Sequence, residues 1–218
     1  MLNREETYRK KNIELLVKYP FLRPRKWLWL MKDKTENVIR DGIPEGWWKR
    51  FGEAMCDDFK EVTERNRKPR LRIEGAEEKL GTLRIYGNGP DEWKEHLRAW
   101  QYISAHTCVE CGEFPVPVRD DTWVSPWCDR CFVKHEIRRQ ITEKEMNNET
   151  LESINSDEVQ KNVDSHSYRN YKLEEYINTE YYDNSGNKKT VAIDMKPYYK
   201  KIGFDFKKYI KNTKKEEA

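Results

Sequence analysis

The sequence predicts an α+β protein in which helices pack on a small antiparallel hairpin, with a four-cysteine module and a separate C-terminal extension. Three observations predict this fold. Apolar residues recur at helical spacing in several segments, alternate with arginines on both sides of a glycine-containing break, and are followed by two C-x-x-C pairs. The aromatic residues are also unevenly distributed, because all 8 tryptophans precede residue 128 whereas eight of the 12 tyrosines follow residue 166.

Two helices are expected near the N-terminus. The segment "KKNIELLVKYPF" predicts a short helix that ends at Pro20. The segment "GIPEGWWKRFGEAMCDDFKEVTERN" predicts the strongest helix of the chain, with Pro44 in its first turn. Its large apolar residues fall three or four positions apart: Trp48, Phe51, Met55, Phe59 and Val62. Cys56 lies beside this stripe, and we expect it to be a small buried residue rather than a nucleophile.

A hairpin and a third helix follow. In "RLRIEGAEEKLGTLRIYGNG", Leu71 and Ile73 alternate with arginines, as do Leu83 and Ile85 after the break at "GAEEKLG". This period of two predicts two paired strands, each with one solvent-exposed face. The turn "GNGPDEW" then leads into a helix expected over residues 91–105. Together with the cysteine module, these elements predict an α+β domain over residues 1–140.

Four of the 5 cysteines form two C-x-x-C pairs on either side of residues 112–127, a spacing typical of four-cysteine zinc sites. Each pair brings two thiolates to one ion at about 2.3 Å, and two pairs complete a tetrahedron. Gly112 follows the first pair directly and suits a turn with unusual backbone angles. Residues 106–132 are therefore expected to form a zinc-ribbon-like module, with "EFPVPVRDDTWVSP" supplying two short strands. The expected ligands of a structural Zn²⁺ are Cys108, Cys111, Cys128 and Cys131.

A catalytic zinc is the alternative for these cysteines. The segments "CVE" and "PWCDRC" are similar in part to those of zinc deaminases, in which a glutamate, here Glu110, transfers protons to a zinc-bound water. Trp127 separates the proline from the cysteine, however, and Cys111 supplies a fourth thiolate. A closed four-thiolate site leaves no open position for water. The sequence also lacks P-loop, G-x-S-x-G and H-E-x-x-H motifs, so we expect no enzymatic activity.

The C-terminal third differs in composition from the rest of the chain. Residues 141–165 are polar and poor in aromatics, which is typical of a linker or a loosely packed helix. Residues 166–218 form a Tyr/Lys-rich subdomain or extension, with a hairpin predicted around "NSGN". Its lysines and aromatics could form a stacking, basic surface for single-stranded nucleic acid, or dock onto another protein. Alternatively, the aromatics pack onto the first part of the chain.

Charge and hydropathy limit the possible settings. The net charge is only +3, but residues 9–34 are strongly basic, residues 143–158 are acidic, and residues 196–215 contain eight lysines. Such alternation forms either ion-paired faces or basic patches for nucleic acid or an acidic protein. No apolar run approaches the ~20 residues that span a membrane, and the N-terminus lacks the apolar stretch of a signal peptide. We therefore expect a cytoplasmic protein with reduced cysteines and no membrane partner.

Several of these motifs occur in the same order in a group of small bacteriophage-encoded proteins, which this chain resembles over roughly residues 13–131. The shared motifs are "GWW" at residues 46–48, "EEKLGTLRIY" at residues 77–86, "TCVECG" at residues 107–112, Trp123, and "CDRC" at residues 128–131. Glu77 and Leu80 depart from the lysine and phenylalanine of the group, and the C-terminal part has no counterpart in it. The resemblance implies a phage origin and a zinc-stabilised fold, but no particular activity.

The sequence therefore favours a phage accessory protein that acts in the host cytoplasm by binding nucleic acid or a host or phage protein that handles it. The alternative is an antagonist of host defence, which sequesters a nucleotide signal or binds a host protein; a virion component is a further alternative. On the open face of the hairpin, guanidinium groups beside an aromatic ring suit phosphate and a stacked base. The candidate ligand-binding residues are Lys79, Arg84, Tyr86, Arg70 and Arg72. Alternatively, Arg84 pairs with Glu77 or Glu78 and only covers the sheet.

Overall fold

The computed structural model describes residues 4–24, 36–66, 69–120, 124–147 and 172–216. The described residues form an α+β fold with six helices and three antiparallel two-stranded hairpins. The first helix, α1 (Arg4–Lys18), is followed by a single 3-10 turn (Pro20–Leu22), so the helix stops just before Pro20, the residue that the sequence predicted to end it. Among the described helices, none has the length and apolar composition needed to cross a membrane.

The second helix, α2, is continuous but not uniformly α-helical. It begins as an α-helical turn (Glu45–Trp47), widens into a π-helical turn (Trp48–Gly52) and continues as a regular helix (Glu53–Arg65). The predicted apolar stripe is buried along its whole length. Cys56 is also fully buried, and burial raises the pKa of its thiol, so this cysteine is a core residue as expected.

The first hairpin pairs β1 (Arg72–Lys79) with β2 (Thr82–Asn88). Its turn is shorter than the break across residues 75–81 that the sequence predicted. Only Leu80 and Gly81 connect the strands, with φ of 52° and 74°. Positive φ at both central residues is typical of the two-residue turn that matches strand twist. The ladder therefore continues to the last residue of β1, and the apolar side chains of β2 face the core as expected.

The helix α3 (Asp91–Ala105) has the predicted bounds and lies at the centre of the fold. Its buried residues include Trp93, Trp100 and Ile103. It contacts α2 and β2 of the first part, the cysteine module, and the C-terminal elements. α3 is therefore the element against which the other parts of the molecule are positioned.

The cysteine module consists of β3 (Val118–Asp120), β4 (Val124–Pro126) and the start of α4 (Asp129–Met146). The two short strands predicted between the cysteine pairs are thus confirmed. The sequence did not predict α4, whose end makes the first residues of the segment 141–165 helical, one of the two alternatives given for that segment. The rest of that linker, like Trp123, lies outside the described residues.

The C-terminal part contains the predicted hairpin and two short helices. β5 (Tyr176–Tyr182) pairs with β6 (Lys188–Asp194), followed by α5 (Lys196–Lys201) and α6 (Phe206–Glu216). Although the sequence set residues 166–218 apart, the described ones share one core with α2 and α3. The C-terminal members of that core are Leu173, Ile193, Met195, Tyr198, Tyr199, Ile202 and Phe206. The aromatics of this core therefore pack onto the first part, whereas Tyr176 and Tyr182 of the hairpin remain exposed.

Candidate metal centre

The four paired cysteines converge on one point. The sulfurs of Cys108, Cys111, Cys128 and Cys131 all lie within 4.8 Å of one another. Cys111 Sγ and Cys128 Sγ, which come from different pairs, are 3.6 Å apart. Three of the four cysteines are buried and Cys111 is partly exposed. Such a cluster could hold a metal ion, as the spacing in the sequence predicted.

The local backbone structure places the side chains of both cysteine pairs where their sulfurs converge. After Cys108, the chain turns back so that the Gly112 N–H donates to the Cys108 carbonyl at 3.0 Å. Gly112 has a φ of 79°, a conformation that glycine adopts at little cost, which explains its place after the pair. In the second pair, Cys128 immediately precedes α4 and Cys131 lies in its first turn. The positive end of the helix dipole favours thiolates at these positions.

Helix α2 is docked directly onto the first cysteine pair. The Gly46 N–H donates to the Val109 carbonyl at 2.9 Å, and Trp47 Nε1 donates to the Thr107 carbonyl at 2.7 Å. A Cβ atom at Gly46 would lie only 2.6 Å from the Val109 oxygen and 2.7 Å from the Gly112 nitrogen. The G-W-W motif and the T-C-x-x-C-G motif are therefore two sides of one contact, and only glycine fits at its centre.

The electrostatics of the cluster favour a bound cation. Burial raises the pKa of Cys128, and it raises the pKa of Cys131 to about 11. Burial alone would also raise the pKa of Cys111, but hydrogen bonds to its sulfur lower it below the usual range. Four sulfurs this close repel one another as thiolates, so full deprotonation needs a positive ion between them.

Arg130 adds positive charge at the edge of the cluster. A hydrogen bond to the sulfur of Cys111 raises the pKa of this exposed guanidinium, and the other thiols add to the effect. A dication held by four thiolates carries a net charge of −2, which a neighbouring guanidinium partly balances. Arg130 is therefore suited to stabilise the loaded centre, a role that the C-x-x-C pattern alone did not indicate.

The predicted ligand-binding residues lie on the open side of the first hairpin. Arg84 and Tyr86 project from the same face of β2, and Lys79 is the last residue of β1 rather than part of the turn. Arg70 and Arg72 are exposed at the other end of the hairpin. Within the described ranges, no carboxylate lies within ion-pair distance of Arg84, so the structure does not contain the pair with Glu77 or Glu78 that was the alternative to ligand binding.

An acidic side chain lies within this basic face. The Tyr86 hydroxyl donates to Glu77 Oε1 at 2.5 Å, and this bond raises the pKa of the tyrosine. Glu77 also lies directly opposite Arg84 in the ladder. The face therefore combines basic side chains and a half-exposed ring with one carboxylate that a negatively charged ligand would have to displace or neutralise.

A buried polar network that the sequence did not predict connects α2, α3 and α5. Asp58 is 1% exposed and accepts hydrogen bonds from His96 Nδ1 at 2.6 Å, from Trp100 Nε1 at 2.8 Å and from Lys201. The Tyr198 hydroxyl lies 3.1 Å from the same His96 nitrogen. The available signal was an acid within the apolar stripe of α2, three residues after Met55 and one before Phe59.

Comparison with known proteins identified no relative of this chain. The chain matches no protein-family model, and neither a curated protein nor a solved structure matches it significantly.

Proposed function

We propose that this protein is a non-enzymatic, zinc-stabilised phage accessory protein that binds nucleic acid in the host cytoplasm. The lysine-covered face of α6 supports this function most strongly. The resemblance to phage-encoded proteins and the reduced cysteine pairs support the setting. In this proposal the zinc stabilises the fold, and the nucleic acid binds to the lysine-covered face of α6.

Zinc is the ion that fits the cysteine cluster best. Tetrahedral zinc–thiolate geometry with ~2.3 Å bonds places the sulfurs about 3.8 Å apart. The 3.6 Å separation of Cys111 and Cys128 and the 4.8 Å limit for all four sulfurs agree with that geometry. Four soft thiolates favour zinc over magnesium or calcium, which prefer oxygen ligands. Because all four positions are filled by protein, the ion has a stabilising role.

Helix α6 separates apolar and basic residues onto opposite faces. Asp205 caps its start by accepting a hydrogen bond from the Lys208 N–H at 3.0 Å. Phe206, Tyr209 and Ile210 face the core. The opposite face carries five exposed lysines at spacings that bring them together on a helix: Lys207, Lys208, Lys211, Lys214 and Lys215.

These five lysines differ from the other lysines of the C-terminal part. Lys188 lies 2.7 Å from Glu180, Lys189 lies 3.7 Å from Asp183, and Lys196 lies 2.6 Å from Glu175. In the part of the chain that the structure describes, none of the five α6 lysines has such a carboxylate. A row of uncompensated ammonium groups is suited to the phosphates of nucleic acid.

This surface supports binding to phosphates rather than reading of bases. The aromatic side chains that could have stacked on bases, Tyr198, Tyr199 and Phe206, are in the core. Lysine contacts to phosphate carry no direct sequence information. We therefore propose sequence-independent binding whose affinity depends strongly on salt.

The open face of the first hairpin supports a second candidate function. Lys79, Arg84, Arg72 and the half-exposed ring of Tyr86 share this face, which suits a single nucleotide with its phosphate and base. A protein that sequesters a nucleotide signal and so antagonises host defence would use these residues and Arg70. Substitution of Arg84 and Tyr86 with alanine separates this candidate from binding by α6.

The test of the proposed function compares two sets of three lysines. We would measure the affinity for a fluorescently labelled 20-base-pair DNA by anisotropy between 50 and 300 mM salt. In the test variant Lys207, Lys211 and Lys214 become glutamine; in the matched control Lys188, Lys189 and Lys196 do. The control removes the same charge from the same part of the chain, but from lysines that already have carboxylate partners.

The α6 variant is expected to lose about three phosphate contacts. The slope of log affinity against log salt should then fall by about 0.9 per lost contact, or roughly 2.7 in total. The control should change the slope by less than about one. Equal losses in both variants, or an affinity that does not respond to salt, would contradict nucleic-acid binding by α6.

A further inference from the structure

A cleft of about 420 Å³ opens at the π-helical turn of α2, on the side that faces α1. Its lining contains four basic and two acidic side chains together with Trp48. The charged residues are Lys11, Arg40, Lys49, Arg50, Glu45 and Glu53. The volume lies within the range of small-molecule sites in proteins. Neither the metal centre nor the basic face of α6 includes these residues.

The two lysines and the two arginines of the cleft differ in their partners. Lys11 lies 3.8 Å from Glu53, and Lys49 lies 3.7 Å from Glu45, so both lysines have a loose acidic partner. In the described ranges, neither Arg40 nor Arg50 has a carboxylate within ion-pair distance. The Nε atoms of both arginines are buried and make no hydrogen bond to any described residue.

Arg50 is the more unusual of the two arginines. The side chain is partly buried, which lowers the pKa of its guanidinium, and no carboxylate of the described residues offsets the effect. A buried charge without a partner costs free energy. Proteins tolerate such a cost where a ligand supplies the missing charge, because functional sites are commonly less stable than they could be.

Neighbouring rings and the helix geometry hold both guanidinium groups in place. The Arg40 guanidinium lies 4.1 Å from the centre of the Tyr8 ring and donates to Asn12 Oδ1 at 2.8 Å. The Arg50 guanidinium lies 6.0 Å from the centre of the Phe114 ring. Because these positions exist without a ligand, binding would require little ordering of the arginines.

We propose that this cleft binds a small phosphate-bearing ligand, with Arg40 and Arg50 contacting the phosphoryl oxygens. Guanidinium groups match phosphate oxygens in bidentate geometry, and an unpaired Nε–H is one of the donors that such contacts use. Four basic groups against two carboxylates favour an anion with more than one negative charge. Lys11 and Lys49 are paired only loosely and can turn towards it.

Isothermal titration calorimetry of the full-length protein tests this site with inorganic pyrophosphate and with ADP as separate probes. The test variant is Arg50→Met, which keeps an unbranched side chain beside Phe114 but removes the charge. The control is Arg23→Met, because Arg23 is exposed and does not line the cleft. The melting temperature of each variant is measured without ligand.

The parent and Arg23→Met should bind pyrophosphate equally, and Arg50→Met should bind it about 10- to 100-fold more weakly, as expected for lost hydrogen bonds to a charged group. Without ligand, Arg50→Met should melt at the same temperature as the parent or higher, because it loses a partly buried charge whose Nε has no partner among the described residues. Tighter binding of ADP than of pyrophosphate would assign a nucleoside part to the ligand, and equal binding would assign phosphate alone.

Two results would overturn the assignment of this cleft. One is the absence of heat from both probes at millimolar concentration with the folded parent. The other is a lower melting temperature of Arg50→Met with unchanged affinity for the probe, which would make Arg50 a packing residue. DNA binding by α6 can fail independently, since its lysine variants should leave pyrophosphate binding unchanged.

Discussion

Replacing Asp58 with asparagine tests whether the buried polar network holds the C-terminal helices onto the rest of the fold. The carboxylate of Asp58 is enclosed by donors from α3 and α5: His96, Trp100 and Lys201. Asparagine has nearly the same size, but an NH₂ group replaces one of the two accepting oxygens. One buried donor then loses its acceptor, and the ammonium of Lys201 keeps only the more distant and more exposed Glu61, whose Oε2 lies 3.5 Å away.

The expected loss of stability is large. Breaking a buried ion pair by removing one partner costs about 3–5 kcal/mol, and each kcal/mol corresponds to about 2–4 °C for a chain of this size. We therefore expect Asp58→Asn to lower the melting temperature by roughly 6–20 °C. The matched control is Asp57→Asn, whose carboxylate accepts from Tyr19 at 2.8 Å and pairs with Lys18 at 3.0 Å in a half-exposed position. That change should cost about 1 kcal/mol or less.

The difference between the parent and Asp58→Asn should also depend on pH. Burial alone would raise the pKa of Asp58, but hydrogen bonds from His96, Lys201 and Trp100 lower it below the ordinary value. A carboxyl group with a lowered pKa in the folded state stabilises the protein above its unfolded pKa of about 3.9. That stabilisation is lost as the pH falls through the folded pKa. The stabilities of the two proteins should therefore begin to converge as the pH falls below about 4, and the difference should continue to shrink down to the folded pKa.

Thermal unfolding followed by circular dichroism at 222 nm, between pH 3 and pH 8, measures both effects. Reversibility and agreement with near-ultraviolet data would show that one transition is observed. Equal melting temperatures for Asp58→Asn and Asp57→Asn at pH 7 would refute the reasoning. A gap between Asp58→Asn and the parent that widens in acid would contradict the direction of the pKa shift.

Two further predictions concern the metal and the division of the chain. Cys131→Ser should lose zinc in a colorimetric release assay and yield an aggregating or partly unfolded protein, because zinc binding by four-cysteine sites contributes about 10 kcal/mol or more to folding. The control variant Cys56→Ala should keep the metal. A metal-free parent protein with an unchanged melting temperature would contradict a structural role of the metal. Truncation after Asn147 removes seven buried side chains from the shared core, each stabilising by roughly 1.5–3 kcal/mol, so the fragment should not melt cooperatively in calorimetry. The sequence alone favoured the opposite result, an independently folded fragment ending near residue 140.

Local patterns predicted most of the elements. The bounds of α3, the stripe of α2 and the hairpin around "NSGN" all follow from periodicity and turn residues within a short stretch of chain. The cysteine cluster was equally predictable, since its ligands and its spacing are fixed by metal geometry. The π-helical turn was not, because the G-W-W segment has an ordinary helical pattern. The turn at Leu80 was missed because leucine rarely adopts positive φ.

Contacts between distant residues could not be predicted in the same way. The lysines and aromatics of α5 and α6 alternate in the sequence in a manner that suits either a stacking surface or amphipathic helices. The structure shows amphipathic helices, because Tyr199 and Phe206 are buried in the core and stack on each other with their ring centroids 4.9 Å apart. The partners of Asp58 lie 38 to 143 residues away in the chain. No periodicity within one segment indicates which distant donors will meet a buried acid.

The candidate metal centre and the proposed anion cleft share structural support, so a bound metal would have a role beyond stability. Gly112, directly after the first cysteine pair, lies against Arg50, since a Cβ atom built there would be 3.3 Å from the Cβ of Arg50. Phe114, two residues further on, supplies the ring beside the Arg50 guanidinium. Gly46 and Trp47 bond to the same segment and fix the start of α2. An ion bound by the cysteine pairs would therefore also fix the position of Arg50.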